Sequence, residues 1–340
     1  MPRAQVTTYL LSWLLTFSFF ESAVGRHSFR FVEETLRRLT PNPSQSPRLR
    51  EAYLEQLRDS GLVVQAFLPA VFAPLQLSDR TRPVDLTPWS VDDFVLEQLD
   101  ARDRTSVSVF AAHVYYRALH TVPSVIRAYW SSLQNLQLSR VMQSFTTRHF
   151  SPLLVADELS VLRDADSPTG KQLRDNDDFT VKVASNGSEV KVVFVVDEEA
   201  MEIAIKVPNE FPLAGVEVRD VRKVGVTDKQ WRAWLLAMQQ VITSQVGPRE
   251  DLFCVEGAET DHSPQSAAIA DAILLFKRNV TLHFEGVESC AICYSTVSTV
   301  DRSLPTKTCK TCSNKFHAGC LYKWFTTSHG STCPLCRQVF

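Results

Sequence analysis

Before residue 290 the chain carries a single cysteine, Cys254, so no disulfide can form within the body of this 340-residue protein. Glycine is scarce, at 11 residues, which excludes a collagen-like repeat. Net charge is nearly absent: 36 Lys plus Arg stand against 38 Asp plus Glu, leaving −2. No global positive field therefore draws the chain to nucleic acid, although a local patch could still bind it. Hydrophobic residues at 44% and charged residues at 22% give the profile of a soluble globular protein, not of a disordered or polytopic membrane chain. At roughly 150 residues per domain, the length predicts two or three domains.

Tyr9 to Phe20 is apolar and free of charge, yet its twelve residues fall short of the roughly 20 that a ~30 Å hydrocarbon core requires. A signal-peptide core is one reading, with Arg3 upstream and Ala23-Val24-Gly25 as a passable cleavage site. The buried face of a helix is the other. Clustered thiols further along suit a reducing compartment, and that favours the buried helix.

Residues 1–150 read as consecutive helix pairs without a clean repeat. Val107, Phe110, Ala111, Val114, Tyr115, Ala118 and Leu119 share one helical face. Ser90 can cap a helix carrying Val91, Phe94, Val95 and Leu99. Pro123 suits the first turn of another, with Ile126, Tyr129, Trp130 and Leu133 on one side, and Val141, Met142, Phe145 and Phe150 extend the pattern. Pro41-Asn42-Pro43 and Arg82-Pro83 mark loops.

After about residue 165 the period changes. A helix starting at Ser151-Pro152 precedes alternating Phe179, Val181 and Val183, and Asn186-Gly187 is a hairpin turn signal. Val190 to Val196 forms a second strand. Met201, Ile203, Ile205 and Val207 form a third, ended by Pro208, and Val216, Val218 and Val221 a fourth. Thr227 and Gln230 make a capping box for a helix with Trp231, Trp234, Leu235, Met238, Val241 and Ile242 on one stripe. Gly247 to Pro264 is polar and acidic and is expected to loop out; Ala267 to Phe276 can form a last helix. This α+β order, with Pro208-Asn209-Glu210-Phe211-Pro212 after the third strand, resembles the RWD domain, a relative of the ubiquitin-conjugating fold. Conjugating chemistry needs a nucleophilic cysteine near a His-Pro-Asn motif. No such motif occurs, and Cys254 lies beyond the Trp231 helix, where a lone Cys is usually a small hydrophobe. The domain is expected to bind rather than catalyse.

Seven cysteines crowd the 47 residues from Cys290 to Cys336. With His317 they pair as Cys290-x2-Cys293, Cys309-x2-Cys312, His317-x2-Cys320 and Cys333-x2-Cys336, separated by 15, 4 and 12 residues. Two ligands separated by two residues in a tight turn point at one metal, so four pairs make two tetrahedral zinc sites with no open position for water. The zinc is then structural. An odd thiol count and a spaced His argue against a disulfide knot. The ligand order, four cysteines, one histidine and three cysteines, occurs in both the PHD finger and the RING-CH type of RING finger. A PHD finger has an aromatic two residues before the seventh ligand, where this chain has Ser331. A RING has an apolar residue in the first pair, a Trp four residues after the sixth ligand and a final Cys-Pro-x-Cys; Ile292, Trp324, Pro334 and Leu335 match all three.

The resemblance to a RING implies a cross-brace. Cys290, Cys293, His317 and Cys320 would hold one zinc, and Cys309, Cys312, Cys333 and Cys336 the other. It also implies that Ile292, Trp324, Pro334 and Leu335 contact a ubiquitin-conjugating enzyme. Arg337 would be the catalytic linchpin between that enzyme and its bound ubiquitin.

The stretch Cys309 to Arg337 is similar, nearly residue for residue, to the RING of the listerin family of E3 ubiquitin ligases. Phe284-Glu285-Gly286-Val287-Glu288, Val224-Gly225-Val226 with Gln230 to Trp234, Ala128-Tyr129-Trp130 and, more weakly, Tyr9 to Trp13 extend the likeness upstream. It implies three parts: a helical HEAT/ARM-like region at 1–150, an RWD-like domain at 151–283 and a RING-CH zinc finger at 284–340. The chain then looks like a C-terminal fragment or a truncated product without the family's N-terminal arm, with an insertion around Asp251 to Pro264. The implied function is ubiquitylation of stalled nascent chains on the 60S ribosomal subunit, for proteasomal degradation, in the cytosol. Implied partners are the charged conjugating enzyme, the 60S subunit and the quality-control cofactor on the nascent chain, with no membrane and no sequence-specific nucleic-acid binding. The rival expectations are a PHD-like histone-tail reader and a non-catalytic ribosome-binding truncation.

Overall fold

The computed structural model describes residues 3–20, 47–78, 80–91, 94–244, 267–298 and 300–340. Cys254, the Pro41–Pro43 loop and the acidic stretch at 247–264 lie outside the described residues. The chain divides into two compact units. The first is residues 1–158 with 208–216 and 243–267; the second is residues 159–207, 217–242 and 268–340.

In the first unit, α1 (Arg3–Phe20) is the apolar N-terminal run. Leu10, Trp13, Leu14 and Phe17 are buried at the i, i+3, i+4, i+7 spacing of one helical face, while Leu15 is half exposed. Trp13 and Phe17 pack on Phe67 with ring centroids 4.9 and 5.2 Å away. Among the described residues, no helix is long and apolar enough to cross a membrane. Next come α2 (Pro47–Asp59), a π-helical turn (Val63–Phe67) and α3 (Leu68–Leu75). Pro74 and a left-handed Gln76 end α3.

The centre of this unit is α4 (Arg104–Thr121). Asp103 caps it, its carboxylate accepting the Thr105 and Ser106 amides at 3.3 and 2.8 Å. Every residue from Val107 to Leu119 is buried, so the helix is enclosed on all sides. Its polar members find partners inside: Ser108 donates to the Pro74 carbonyl at 2.9 Å, and Nδ1 of His113 donates to the Val91 carbonyl at 2.7 Å. The last contact corrects one expectation. Among the described residues Ser90 caps no helix: the backbone is extended at Val95, and Leu96–Gln98 forms a 3-10 turn. Val91 spends its carbonyl on His113, and Phe94 stacks on Phe110 and His113, so tertiary contacts take the groups a helix would have used. Then follow α5 (Pro123–Ser132), α6 (Leu136–His149, capped by Asn135) and α7 (Ser151–Arg163). The segment 208–216 belongs to this unit: Arg127 donates to the Pro212 carbonyl at 2.9 Å, and Phe211 and Leu213 are buried.

The second unit opens with the short α8 (Pro168–Leu173) and an antiparallel meander, β1 (Phe179–Val183), β2 (Glu189–Val196), β3 (Glu199–Lys206) and β4 (Glu217–Arg222), in spatial order 1-2-3-4. The register pairs Phe179 with Phe194, Val192 with Ile203 and Ile205 with Val218. Strand alternation thus sends Phe179, Val190, Val192, Phe194, Met201, Ile203 and Ile205 into one buried face. α9 (Asp228–Ser244) and α10 (Ala268–Phe284) complete this layer. Phe276 of α10 lies 5.9 Å from Trp231, 6.3 Å from Trp234 and 6.5 Å from Phe179. Only half of the capping box forms. Thr227 accepts the Gln230 amide at 3.3 Å, but the Gln230 side chain turns to His283, 3.2 Å away. The remainder of the unit is the cysteine-rich tail, with a minimal hairpin of β5 (Lys307–Thr308) and β6 (Lys315–Phe316) and one helix, α11 (Ala318–Ser328).

Candidate metal centre

Three of the four ligand pairs sit in one repeated backbone turn. The Cys290 amide donates to the Ser295 carbonyl at 2.9 Å, and its carbonyl accepts from the Tyr294 amide at 2.7 Å. Cys309 does the same with Asn314 and Ser313, both at 3.0 Å, and Cys333 with Gln338 and Arg337, at 2.8 and 3.0 Å. Each turn closes through a left-handed residue: Tyr294 at φ 61, Ser313 at φ 59 and Arg337 at φ 60. That backbone turns both sulfurs of a pair the same way. The fourth pair uses a helix instead, with His317 just before the first residue of α11 and Cys320 in its first turn.

The turns bring the eight side chains into two groups. Cys290, Cys293, His317 and Cys320 form one, and Cys309, Cys312, Cys333 and Cys336 the other, with the candidate ligand atoms of each group all within 4.8 Å of one another. Nδ1 of His317 is 3.4 Å from the Cys293 sulfur and 3.8 Å from that of Cys320. Sulfurs of Cys309 and Cys336 are 3.8 Å apart, and those of Cys312 and Cys333 3.7 Å. A tetrahedron with zinc–sulfur bonds of about 2.3 Å has edges of about 3.8 Å. A disulfide would need about 2.0 Å. Both groups therefore fit a zinc ion, and the cysteines described are free thiols.

The electrostatics point the same way. Burial opposes ionisation of Cys290, but the Cys293, His317 and Ile292 amides outweigh it and hold the thiol low. Asn314, through its side chain and its amide, brings the Cys312 thiol down to about 6. In contrast, burial and the neighbouring Cys293 and Cys290 sulfurs push Cys320 up to about 12. One member of each crowded set ionises readily and another resists; a dication at the centre relieves that repulsion.

Cys290, Cys309, Cys333, Phe316 and Leu321 are buried, with Ile292, Phe325 and Phe340 packed against them. Phe340 lies 5.9 Å from Phe316 and 5.7 Å from Phe325. So small a core does not stabilise a fold alone, and metal would supply the rest. Outside it, Trp324 is 36% and Leu335 49% exposed, large apolar side chains that the core does not take up. Pro334 and Ile292 are half-buried, so Ile292 serves the core and the surface together, and Arg337 is exposed. Spacing alone does not reveal the loop from Val297 to Leu304, or Asp197 and Gly225, which bond to its backbone from far along the chain.

Family comparisons match the chain to three descriptions: "LTN1 family HEAT repeat region" over residues 42–163, "Ubiquitin conjugating domain-like" over 179–250 and "Ring finger domain" over 288–337. Among curated proteins, it is 41% identical over 263 residues to "E3 ubiquitin-protein ligase listerin" of Schizosaccharomyces pombe, covering 77% of this chain and 15% of that protein. To the listerin of Saccharomyces cerevisiae it is 31% identical over 86% of this chain and 18% of the relative, and to that of Xenopus tropicalis 31% over 98% and 17%. The chain thus spans between 15% and 18% of the length of these relatives.

Proposed function

The chain belongs to the listerin family, matching its C-terminal part, and from that premise we propose that it is a RING-type E3 ubiquitin-protein ligase. The observation that carries the reading is the exposed pair Trp324 and Leu335 on a frame of two four-ligand groups. In this reading the frame holds two structural zinc ions, one per group. Ile292, Trp324, Pro334 and Leu335 dock a ubiquitin-conjugating enzyme. The helical region is taken as 1–150, the RWD-like domain as 151–283 and the RING as 284–340.

The chemistry needs no nucleophile from this chain. A substrate lysine amine attacks the carbonyl of the ubiquitin thioester carried by the conjugating enzyme. The thioester bond breaks, an isopeptide bond forms, and the enzyme's cysteine leaves as thiol. The RING contributes orientation: it holds ubiquitin against its carrier in a near-attack arrangement, and the entropy of that arrangement is met in advance. Arg337 is the linchpin. Its planar guanidinium can donate to carbonyls of both partners at once, and the residue is exposed. In this reading the substrates are stalled nascent chains on the 60S subunit. The RWD-like domain docks on that subunit in the cytosol, with the quality-control cofactor alongside.

Single-turnover discharge of a ubiquitin-charged conjugating enzyme tests the reading. The full chain accelerates discharge across a suitable panel of enzymes, Leu335→Ala and Arg337→Ala do not, and both variants keep their zinc. A zinc-loaded wild type that discharges no enzyme of the panel sinks the ligase reading. Co-sedimentation with 60S subunits tests the location.

A further inference from the structure

The β2–β3 turn of the sheet reaches into the RING, and one peptide group there faces both a carboxylate and a metal ligand. Val196 pairs with Glu199, leaving Asp197 and Glu198 as a two-residue hairpin loop. Both have positive φ, 47 and 69, the backbone of a type I′ turn. Oδ2 of Asp197 accepts the Thr296 amide and, at 3.2 Å, the Val297 amide. The Val297 N–H and the Thr296 carbonyl belong to one peptide unit. That carbonyl accepts from Nε2 of His317 at 3.2 Å, and Nδ1 of the fully buried His317 faces the Cys293 and Cys320 sulfurs. A hydrogen on Nε2 leaves the Nδ1 lone pair for the metal, so the Thr296 carbonyl selects the tautomer.

We propose that Asp197 is a positioning residue for the first metal site, the anionic end of a carboxylate–peptide–histidine relay. The inference rests on the zinc reading above. Its carboxylate polarises the 296–297 peptide along the N–H to C=O axis, which strengthens the bond from His317 and makes the imidazole a better ligand. Metal-binding histidines generally depend on such outer partners; here the partner of the partner comes from the sheet, 99 residues from Thr296. The RWD-like sheet therefore orients a RING ligand as well as bordering it. A neighbouring link differs in kind: Glu199 pairs with Arg222 and, at 3.5 Å, with Arg302, but touches neither peptide group of the relay.

The test uses the zinc-loaded full chain and a chromophoric chelator in excess. Asp197→Gly removes the carboxylate and accepts the positive φ, so the hairpin keeps its turn. It releases one zinc equivalent about ten-fold faster than wild type and leaves the other unchanged, in line with the loss usual for an outer-sphere partner. In the cobalt-substituted chain, the early loss is the absorption of the site with three thiolates and an imidazole, not that of the all-thiolate site. Asp197→Asn, which keeps an oxygen acceptor and tolerates the same backbone but loses the charge, releases that zinc at a rate between those of wild type and Asp197→Gly; full wild-type behaviour in Asp197→Asn overturns the anionic role. Glu199→Gln leaves both rates at wild type. Unchanged release in Asp197→Gly overturns the proposal, as does equal acceleration of both equivalents, or the same acceleration in Glu199→Gln. A wild-type chain that takes up no zinc overturns the metal reading with it; two tightly held ions with unchanged release overturn the relay alone.

Discussion

Trp324 donates its indole N–H to the Thr332 carbonyl at 2.9 Å, joining α11 to the residue before the last ligand pair. The bond fixes the ring edge while leaving the side chain 36% exposed. An exposed large ring held in one orientation costs little entropy to bury against a partner. Trp324→Phe loses the donor and leaves the Thr332 carbonyl to water, a cost of about 0.5–1.5 kcal/mol. The expected outcome is a folded, zinc-bound chain whose conjugating-enzyme affinity falls several-fold in titration calorimetry. Unchanged affinity would remove Trp324 from the docking surface.

Metal content is expected to be two zinc ions per chain by native mass spectrometry, and Cys312→Ser should lower it to one. Acid should release both. The bound form requires thiolates, so protons compete with the metal, and affinity falls as pH falls. The sign follows from the ligands: thiols such as Cys320, pushed up to about 12 without metal, take protons back first. A zinc-release profile flat between neutral and acidic pH would contradict this.

Gly225 is a position where a side chain has no room. Its φ is +64, and a Cβ there would stand 3.0 Å from the Phe284 ring and 3.1 Å from Leu304. Its amide donates to the Arg302 carbonyl at 2.8 Å, and its carbonyl accepts from His283 at 2.9 Å. Gly225→Ala is expected to destabilise the second unit by about 1–3 kcal/mol through backbone strain and crowding. Denaturant titration measures it, with the midpoint falling and the slope unchanged.

Phe276 is fully buried between β1 and α9, against Phe179, Trp231 and Trp234. Phe276→Ala opens a cavity among Phe179, Trp231 and Trp234, at an expected cost of about 3–5 kcal/mol. Near-ultraviolet circular dichroism should lose the tryptophan signal at a lower temperature than wild type. Helices of the first unit should hold their own melting point.

Patterns of short range are legible in the sequence. Alternation over Phe179–Val207 and the 3.6-residue stripes at Val107–Leu119 and Trp231–Ile242 translate directly into elements, because side-chain direction repeats with the backbone. The helix expected after Ser90 shows the opposite case. Its propensity was genuine, but His113, 22 residues away, takes the Val91 carbonyl, and local preference yields to a buried hydrogen bond. Likewise Gln230 has the right spacing to complete a capping box and bonds His283 instead, 53 residues on.

Which atoms can bind metal is written in the order of the residues. Thiols and one imidazole separated by two residues form pairs through local turns, and those turns need only a few backbone hydrogen bonds. Which pairs meet is a property of the folded chain, because joining Cys293 to His317 and Cys312 to Cys333 closes loops across one another. The same holds for the reach of Asp197 to the 296–297 peptide. Nothing in a carboxylate at a hairpin tip names its acceptor role toward amides a hundred residues away. That contact exists because the sheet and the cysteine-rich tail lie in one compact unit, whose packing places the hairpin tip against the loop that follows the first ligand pair.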